Sequence, residues 1–565
     1  MKTNSEPETP VGSNNDGPNL EPSADGADFA ERVRLNQAKL SAELKPRYDF
    51  IVCGSGSSGS VVARRLAENA GVSVLLLEAG GDDEVPTVMD ACQWPLNLET
   101  ERQWNFRAQP NPRLNGRAMP LNMGRVLGGG SSVNAMIWAR GHKNDWDFFA
   151  GEVGDDAWNY DSVLPTYRRI EDWHGAPDLQ RRGTGGLVFV QPAPDPNPIA
   201  SAMVAGVGSL GIQVFDDAMS CMMEGDGGAA LNNLRIRDGR RLSVFRTYVY
   251  PVMDRPNLTV LSSARVLRVV IENKQAIGVD VSHGGEVRRF RAAAETILSM
   301  GAINTPTLLM QSGIGDEAEL RHFGIPVVQH LPGVGKNFQD HVLVSSVWEY
   351  KEPLAPRNNG GEATVFWKSD GSIDTPDIQV LQGEFPLFTP ENAHYGPPAG
   401  SWSICACLVR PESHGQIRLT GPNPLDPVQI DANTLADSAD LKALVKAVEF
   451  CREIGNSPAL RPYTKREVMP GPLKGAELEN FIRNGIATVW HQTCTAKMGR
   501  DRMSVVDHEF KVHGIEKLRI ADGSIMPRVT TGNTMAPCVI IGERAAEALR
   551  AQQKIETSIA CLRTQ

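Results

Sequence analysis

The sequence predicts a chain that joins an α/β part to an α+β part, and three observations carry that prediction. Residues 48–80 read as strand, glycine turn, helix and strand, the order of a βαβ unit. A second strand–glycine–helix junction lies at residues 296–313. Residues 342–430 hold short, partly alternating apolar runs separated by Gly and Pro, the pattern of an antiparallel sheet.

In the first unit, the apolar run Phe50, Ile51, Val52 and Cys53 ends in Gly54, Gly56 and Gly59, before a helical segment and a second apolar run over residues 74–77. Gly54 permits the tight turn, Gly56 lets a pyrophosphate approach the backbone, and Gly59 lets the helix pack close to the strand. The helix start offers free N–H groups and a positive dipole end to a diphosphate. Glu78 follows Gly59 by roughly 20 residues, where a carboxylate accepts hydrogen bonds from an adenosine ribose. The motif points to a dinucleotide and does not distinguish FAD from NAD.

With 565 residues, 41% hydrophobic and 22% charged, the chain is too long for one core, and two or more domains are expected. A net charge of −10 argues against a nucleic-acid surface. The densest basic cluster, Arg235, Arg237, Arg240, Arg241 and Arg246, reads as a solvated or salt-bridged face. No apolar run approaches the ~20 residues that span a bilayer, and no secretory signal is visible, so no membrane partner and a cytoplasmic address are expected. The nine cysteines contain no CxxC pair and suggest neither a disulfide framework nor a zinc ribbon. His508 and His513 lack a helix-face ligand spacing, so no metal site is expected there.

Residues 1–28 have almost nothing to bury and are expected to be disordered, with a short surface helix following at Phe29, Val33, Leu40 and Leu44. After residue 80 the chain makes a long excursion through Trp94 and Trp104 to GRVLGGGSSVN, residues 124–134. Its consecutive glycines, followed by Ser131, Ser132 and Asn134, make a loop able to lie against a ligand. Extended patterns recur at residues 258–261, 266–271 and 277–281, with a turn at 272–274. Residues 296–300 read as a buried strand. Gly301 then starts a helix with Pro306 near its first turn, and Gly313 ends it. Residues 441–454 have helical spacing, and a last helix starts near Asn533, a residue favoured at the N-cap, with Pro537 in its first turn.

Residues 124–134 and GAINTPTLLMQSGIG at 301–315 resemble the two signature stretches of the glucose-methanol-choline (GMC) flavoprotein oxidoreductases. GVGKNFQDH (333–341), HQTCTAKMG (491–499), and LRIADGSIMP with GNTMAP (518–537) also resemble family segments. The resemblance implies a Rossmann-like FAD-binding domain made of discontinuous segments (47–165, 235–338 and 500–555). It also implies a substrate domain on a mainly antiparallel sheet (166–234 and 339–499), with a leader at 1–46.

By that resemblance Gly54, Gly56, Ser57, Ser58, Gly59, Glu78 and Ala79 hold the ADP half of FAD, and Val266 meets the adenine. Gly128, Ser131, Asn134, Ala135 and Met136 lie along the flavin and ribityl chain, and Asp522, Gly523, Thr534 and Met535 close the pyrimidine end. Trp104 and Trp490 complete the cofactor set. Members resembling choline oxidase carry the flavin on a histidine where this chain has Val133, so the expected FAD is non-covalent.

His491 and Asn533 match the family's catalytic pair. A neutral imidazole with an ordinary pKa of about 6.5 accepts an alcohol's proton near neutral pH, and hydride then passes to the flavin. The expected partners are a small alcohol, primary and aromatic or furanic, and oxygen or another electron acceptor. Trp490 beside His491 is similar to the hydroxymethylfurfural oxidase branch. A hydroxynitrile lyase of the same fold is the alternative. The sequence does not assign an oligomeric state.

Overall fold

The computed structural model describes residues 24–555. The expected disorder of residues 1–23 lies outside the described residues. Residues 24–28 correct that expectation, because they already belong to the helix Ala24–Ala42. Its Asn36 and Gln37 amides reach carbonyls of residues 253–258, which secures a mostly polar helix to the body.

The first sheet has the order Leu258–Leu261, Val74–Leu77, Arg47–Cys53, Glu286–Leu298. These strands are parallel, and Leu518–Ile520 joins the last of them in the same sense. Val74 to Leu77 are all buried, as expected where both faces of a parallel sheet are covered. The hairpin of Arg265–Glu272 and Gln275–His283 pairs antiparallel with the outer half of Glu286–Leu298. That strand is 13 residues long and stops at Leu298, whereas residues 296–300 were expected to form a short one. Its first half exposes arginines and hides the continuation from an apolar-run reading. The parallel strands deliver Gly54, Glu78, Ser299 and Asp522 just past their carboxyl ends, where an open α/β sheet places its ligand.

Helix Gly301–Gln311 follows as expected, but Pro306 sits in its middle. The ring removes the N–H that would bond the Ala302 carbonyl. Thr495 Oγ1 donates to that carbonyl instead at 2.6 Å, so the missing bond is replaced from the segment that carries His491.

The second sheet is antiparallel, in the order Thr464–Met469, Val342–Tyr350, Ser401–Leu408, Ile378–Gly383, Ala363–Trp367, Gly228–Leu231. Alternation divides its side chains. Val344, Trp348, Trp402, Ile404, Val380 and Val365 belong to one core with the helices Pro198–Ser209 and Ser438–Gly455, and Trp348 stacks on Trp402 at 5.0 Å. The opposite face holds Leu343, Ser345, Leu381 and Cys405, which face the ligand cavity. No helix among the described residues is long and apolar enough to cross a membrane.

Candidate active site

One cavity of about 440 Å³ runs from the carboxyl ends of the parallel strands to the antiparallel sheet. Eighteen of the expected site residues line it: Gly54, Gly56, Ser57, Ser58, Glu78, Ala79, Trp104, Asn134, Ala135, Met136, Val266, Trp490, His491, Asp522, Gly523, Asn533, Thr534 and Met535. Gly59, Gly128 and Ser131 do not line it. Gly59 works one layer back, where a Cβ would meet the Gly54 carbonyl oxygen at 2.0 Å. Ser131 turns inward, donating to the Gly128 carbonyl at 2.7 Å and accepting from the Val244 N–H at 3.0 Å.

At the dinucleotide end, helix Ser57–Ala67 begins with no side-chain cap, which leaves its first N–H groups for a ligand. Glu78 accepts from Ser55 Oγ at 2.7 Å, Ser55 N at 3.1 Å and Gly80 N at 2.8 Å, so its carboxylate shapes the turn. Asp522 accepts from Thr305 Oγ1 at 2.6 Å and Gly301 N at 2.9 Å, holding the start of the second helix.

At the far end, Asp340 organises the turn that carries His491. Its carboxylate accepts from Thr488 Oγ1 at 2.5 Å, the His491 N–H at 2.8 Å and Gln492 Nε2 at 3.2 Å. Trp490 is held between them at φ +61°, and its N–H donates to Thr488 Oγ1 at 2.7 Å. Burial pushes the Asp340 carboxyl up to about 7.

The His491 ring is fixed at both nitrogens. Nε2 lies 3.4 Å from Asn533 Nδ2, and Nδ1 lies 2.9 Å from Nδ1 of the perpendicular His341 ring. An amide nitrogen only donates, so Nε2 is the acceptor, and the neutral ring's proton sits on Nδ1 and is given to His341. Burial pushes His491 down to about 3, so this tautomer is neutral at ordinary pH. Gln379 Nε2 donates to Asn533 Oδ1 at 3.3 Å, which orients the amide with its NH2 toward His491.

Asn533 is not the helix cap that its residue type suggested. Thr534 occupies the N-cap of Met535–Gln553 and makes no side-chain cap bond. The Asn533 side chain, one residue earlier, is left for the cavity. The basic cluster also needs correction. Arg246 is ion-paired with Asp83 at 2.7 Å, but Arg235 and Arg241 are buried, and neither has an ion-pair partner among the described residues.

Asp340, His341 and Gln379 were missed as functional residues. The first two lie in the GVGKNFQDH stretch, where a His preceded by Asp was the available signal. Gln379 becomes legible only once the strand's register is known.

Two GMC oxidoreductase family models match residues 48–343 and 411–542. This chain belongs to the GMC oxidoreductase family. It is an FAD-dependent alcohol oxidoreductase. Oxygen-dependent choline dehydrogenase of Klebsiella pneumoniae is 36% identical, over 91% of this chain and 98% of the relative. The enzyme of that name from Brucella anthropi is 34% identical, over 88% and 95%. Among solved structures, pyridoxine 4-oxidase from Mesorbium loti superposes with a TM-score of 0.84 at 30% identity, over 88% of this chain and 98% of that one. A formate oxidase gives 0.82 at 25%, over 90% and 99%.

The residues of this GMC chain fit the coenzyme. The uncapped helix at Ser57 suits a diphosphate, and at Gly56 an added Cβ would meet nothing nearer than the Ser299 carbonyl oxygen at 4.0 Å. Ser55, Gly80 and Glu78 form a closed hydrogen-bonded turn beside it.

The roof of the GMC cavity rests on a second buried pair. Asn359, Gly360 and Gly361 line the cavity, and the Glu362 and Glu384 carboxyls beside them both accept from Asn197, Glu362 from its N–H at 2.5 Å and Glu384 from its Nδ2 at 3.1 Å. Burial, then the adjoining Glu362, pushes Glu384 up to about 8. A raised acid contributes stability that is fully present below its unfolded pKa and is lost as pH rises from there to its folded pKa. Glu384→Gln mimics the protonated form. Its stability relative to the parent is expected to rise by about 1.4 kcal/mol per pH unit from the ordinary value of 4.5 up to about 8, and to level off above that, in denaturant titrations. An unchanged difference between about pH 5 and 7 would show that the Glu384 carboxyl is not raised.

Proposed function

We propose that this enzyme oxidises a neutral primary alcohol, aromatic or furanic, to the aldehyde, with His491 as the base. The observation that carries this reading is the unprotonated His491 Nε2 held 3.4 Å from the Asn533 amide on the wall of the coenzyme cavity. Flavin, when bound, supplies the acceptor for the hydride. His491 Nε2 takes the hydroxyl proton, and His341 receives the Nδ1–H bond that keeps the ring turned. The Asn533 N–H donates to the alcohol oxygen and orients its α-carbon. Asp340 holds the backbone on which His491 rides.

Leu343, Leu381, Phe385, Leu387 and Val489 line the substrate half, and Trp94 meets Trp490 edge-on at 6.4 Å. The only carboxylates on the whole lining are Glu78 and Asp522, both bonded within the coenzyme half. A cationic alcohol such as choline, the substrate named for the relatives, finds no counter-charge there, whereas a flat uncharged ring finds apolar walls. The sheet with residues 47–165, 235–338 and 500–555 forms the coenzyme domain in this reading, and 166–234 with 339–499 the substrate domain.

Anaerobic mixing with benzyl alcohol, hydroxymethylfurfural and choline tests the proposal. The first two are expected to bleach the flavin and choline to leave it yellow. Mandelonitrile cleavage without bleaching would instead identify a lyase. Peroxide formation against dye reduction with the same alcohol separates oxygen from another acceptor.

Val133 lines the cavity beside Asn134. A valine has no nucleophile for the coenzyme, and we propose that FAD is held non-covalently. Acid precipitation is expected to leave a white pellet and a yellow supernatant. Colour retained in the pellet would refute it.

A further inference from the structure

Arg235 and Arg241 are each 1% exposed, and neither forms an ion pair with a carboxylate among the described residues. Arg235 Nη2 donates to Thr247 Oγ1 at 3.1 Å and Nη1 lies 3.7 Å from the Met535 sulfur. Its guanidinium sits 5.9 Å from the Trp138 ring centre, and its Nε has no partner. Arg241 donates from Nε to the Val88 carbonyl at 2.8 Å, and from Nη1 to Asn134 Oδ1 at 2.8 Å and the Ser131 carbonyl at 3.3 Å. Its Nη2 has no partner. Asp83 is the one acid that Arg241 feels, and it is already held by Arg246 at 2.7 Å. Burial pushes Arg235 down to about 10, and burial with the neighbouring Arg235 pushes Arg241 down to about 9, so both stay positive at neutral pH.

Two like charges buried without a counter-ion are strongly unfavourable, and a ligand that brings negative charge relieves them. The two arginines stand one side chain behind the cavity. Asn134 and Met535 line it, joined by Asn134 Nδ2 to the Met535 sulfur at 3.2 Å, and the guanidiniums touch both from the other side. Met535 is two residues from Asn533 and opens helix Met535–Gln553, whose uncapped start turns its positive end to the same wall. The positive field therefore gathers beside the reacting pair.

We propose that Arg235 and Arg241 hold the negative charge that two-electron reduction leaves on the flavin, acting through the Asn134–Met535 wall. The balance is simple. The alcohol loses a proton to His491 and a hydride to the coenzyme and becomes an aldehyde, and the coenzyme that takes the hydride gains one negative charge. A buried positive pair favours that reduced form over the oxidised one and raises the reduction potential.

This inference rests on the proposed hydride transfer, so the test is made independent of any alcohol. The midpoint potential of the flavin-loaded enzyme is measured by equilibration with reference dyes under a chemical reductant. Arg235→Met and Arg241→Met are each expected to lower the ratio of reduced to oxidised affinity about tenfold, which is ~30 mV for a two-electron couple. Arg235→Lys and Arg241→Lys, which keep the charge, are expected to retain the parent potential.

Methionine variants with an unchanged potential would overturn the proposal. So would variants that weaken oxidised and reduced FAD equally, the behaviour of a diphosphate counter-ion, and so would folded variants that hold no flavin. Should a methionine variant not fold, the glutamine variant, which keeps hydrogen bonds without charge, is read against the same outcomes.

Discussion

Replacing His491 with alanine is expected to slow the reduction of bound flavin by alcohol at least ~100-fold, the low end of what a positioned base contributes. The ring is anchored at both nitrogens, by His341 and Asn533, so no other side chain is placed to inherit its role. Stopped-flow absorbance separates this step from re-oxidation. The parent enzyme adds a pH signature. Burial holds His491 neutral from about pH 3 upward, so the base itself is expected to add no acid limb between neutral and mildly acidic pH, where Asp340, pushed up to about 7, is the neighbouring group that titrates. A base at the ordinary pKa of about 6.5 would instead lose about tenfold per pH unit below it. Fast reduction in His491→Ala, or an acid limb that persists in Asp340→Asn, would remove His491 from the role.

The second large effect separates folding from coenzyme binding within one motif. At Gly54, φ is +99° and an added Cβ would sit 2.3 Å from the Ser299 carbonyl oxygen, a backbone atom that cannot turn away. Gly54→Ala combines left-handed strain with overpacking and is expected to cost at least ~3 kcal/mol of stability. Gly56→Ala meets only the Ser299 oxygen at 4.0 Å and is expected to fold normally while weakening FAD at least tenfold, because its methyl group enters the space of the diphosphate. Thermal melting of both apoproteins and flavin titration of Gly56→Ala check this. A Gly54→Ala apoprotein as stable as the parent, or a Gly56→Ala enzyme with parental affinity, would contradict the assignment of jobs.

Local patterns made the βαβ unit, the paired glycine junctions and the antiparallel strands readable, because each obeys a short-range rule of periodicity or turn chemistry. The long strand Glu286–Leu298 escaped because its exposed half pairs in a hairpin while its buried half completes the parallel sheet. Residue type misled at three positions. Asn533 carries a side chain suited to capping, yet the helix begins one residue later and leaves the amide to Gln379 and His491. Arginines in a cluster usually face water, but Arg235 and Arg241 are turned inward on the short paired strands around residues 233–241, whose placement no local rule predicts. Gln379 meets Asn533 across 154 positions of chain, a contact that only the assembled sheet creates.

The segment bearing His491 is laced to the coenzyme side of the molecule. Cys494, Ala496 and Met498 donate to the carbonyls of Gly523, Ser524 and Ile525, and Thr495 replaces the bond that Pro306 removes. In the proposed reading His491 belongs to the substrate domain, and these bonds tie the base to the coenzyme domain. The lining side chains Leu343, Leu381 and Cys405 come from the antiparallel sheet and take no part in that tie. In the proposed reading, that sheet's lining can therefore be re-carved for new alcohols while the base stays tied to the coenzyme domain.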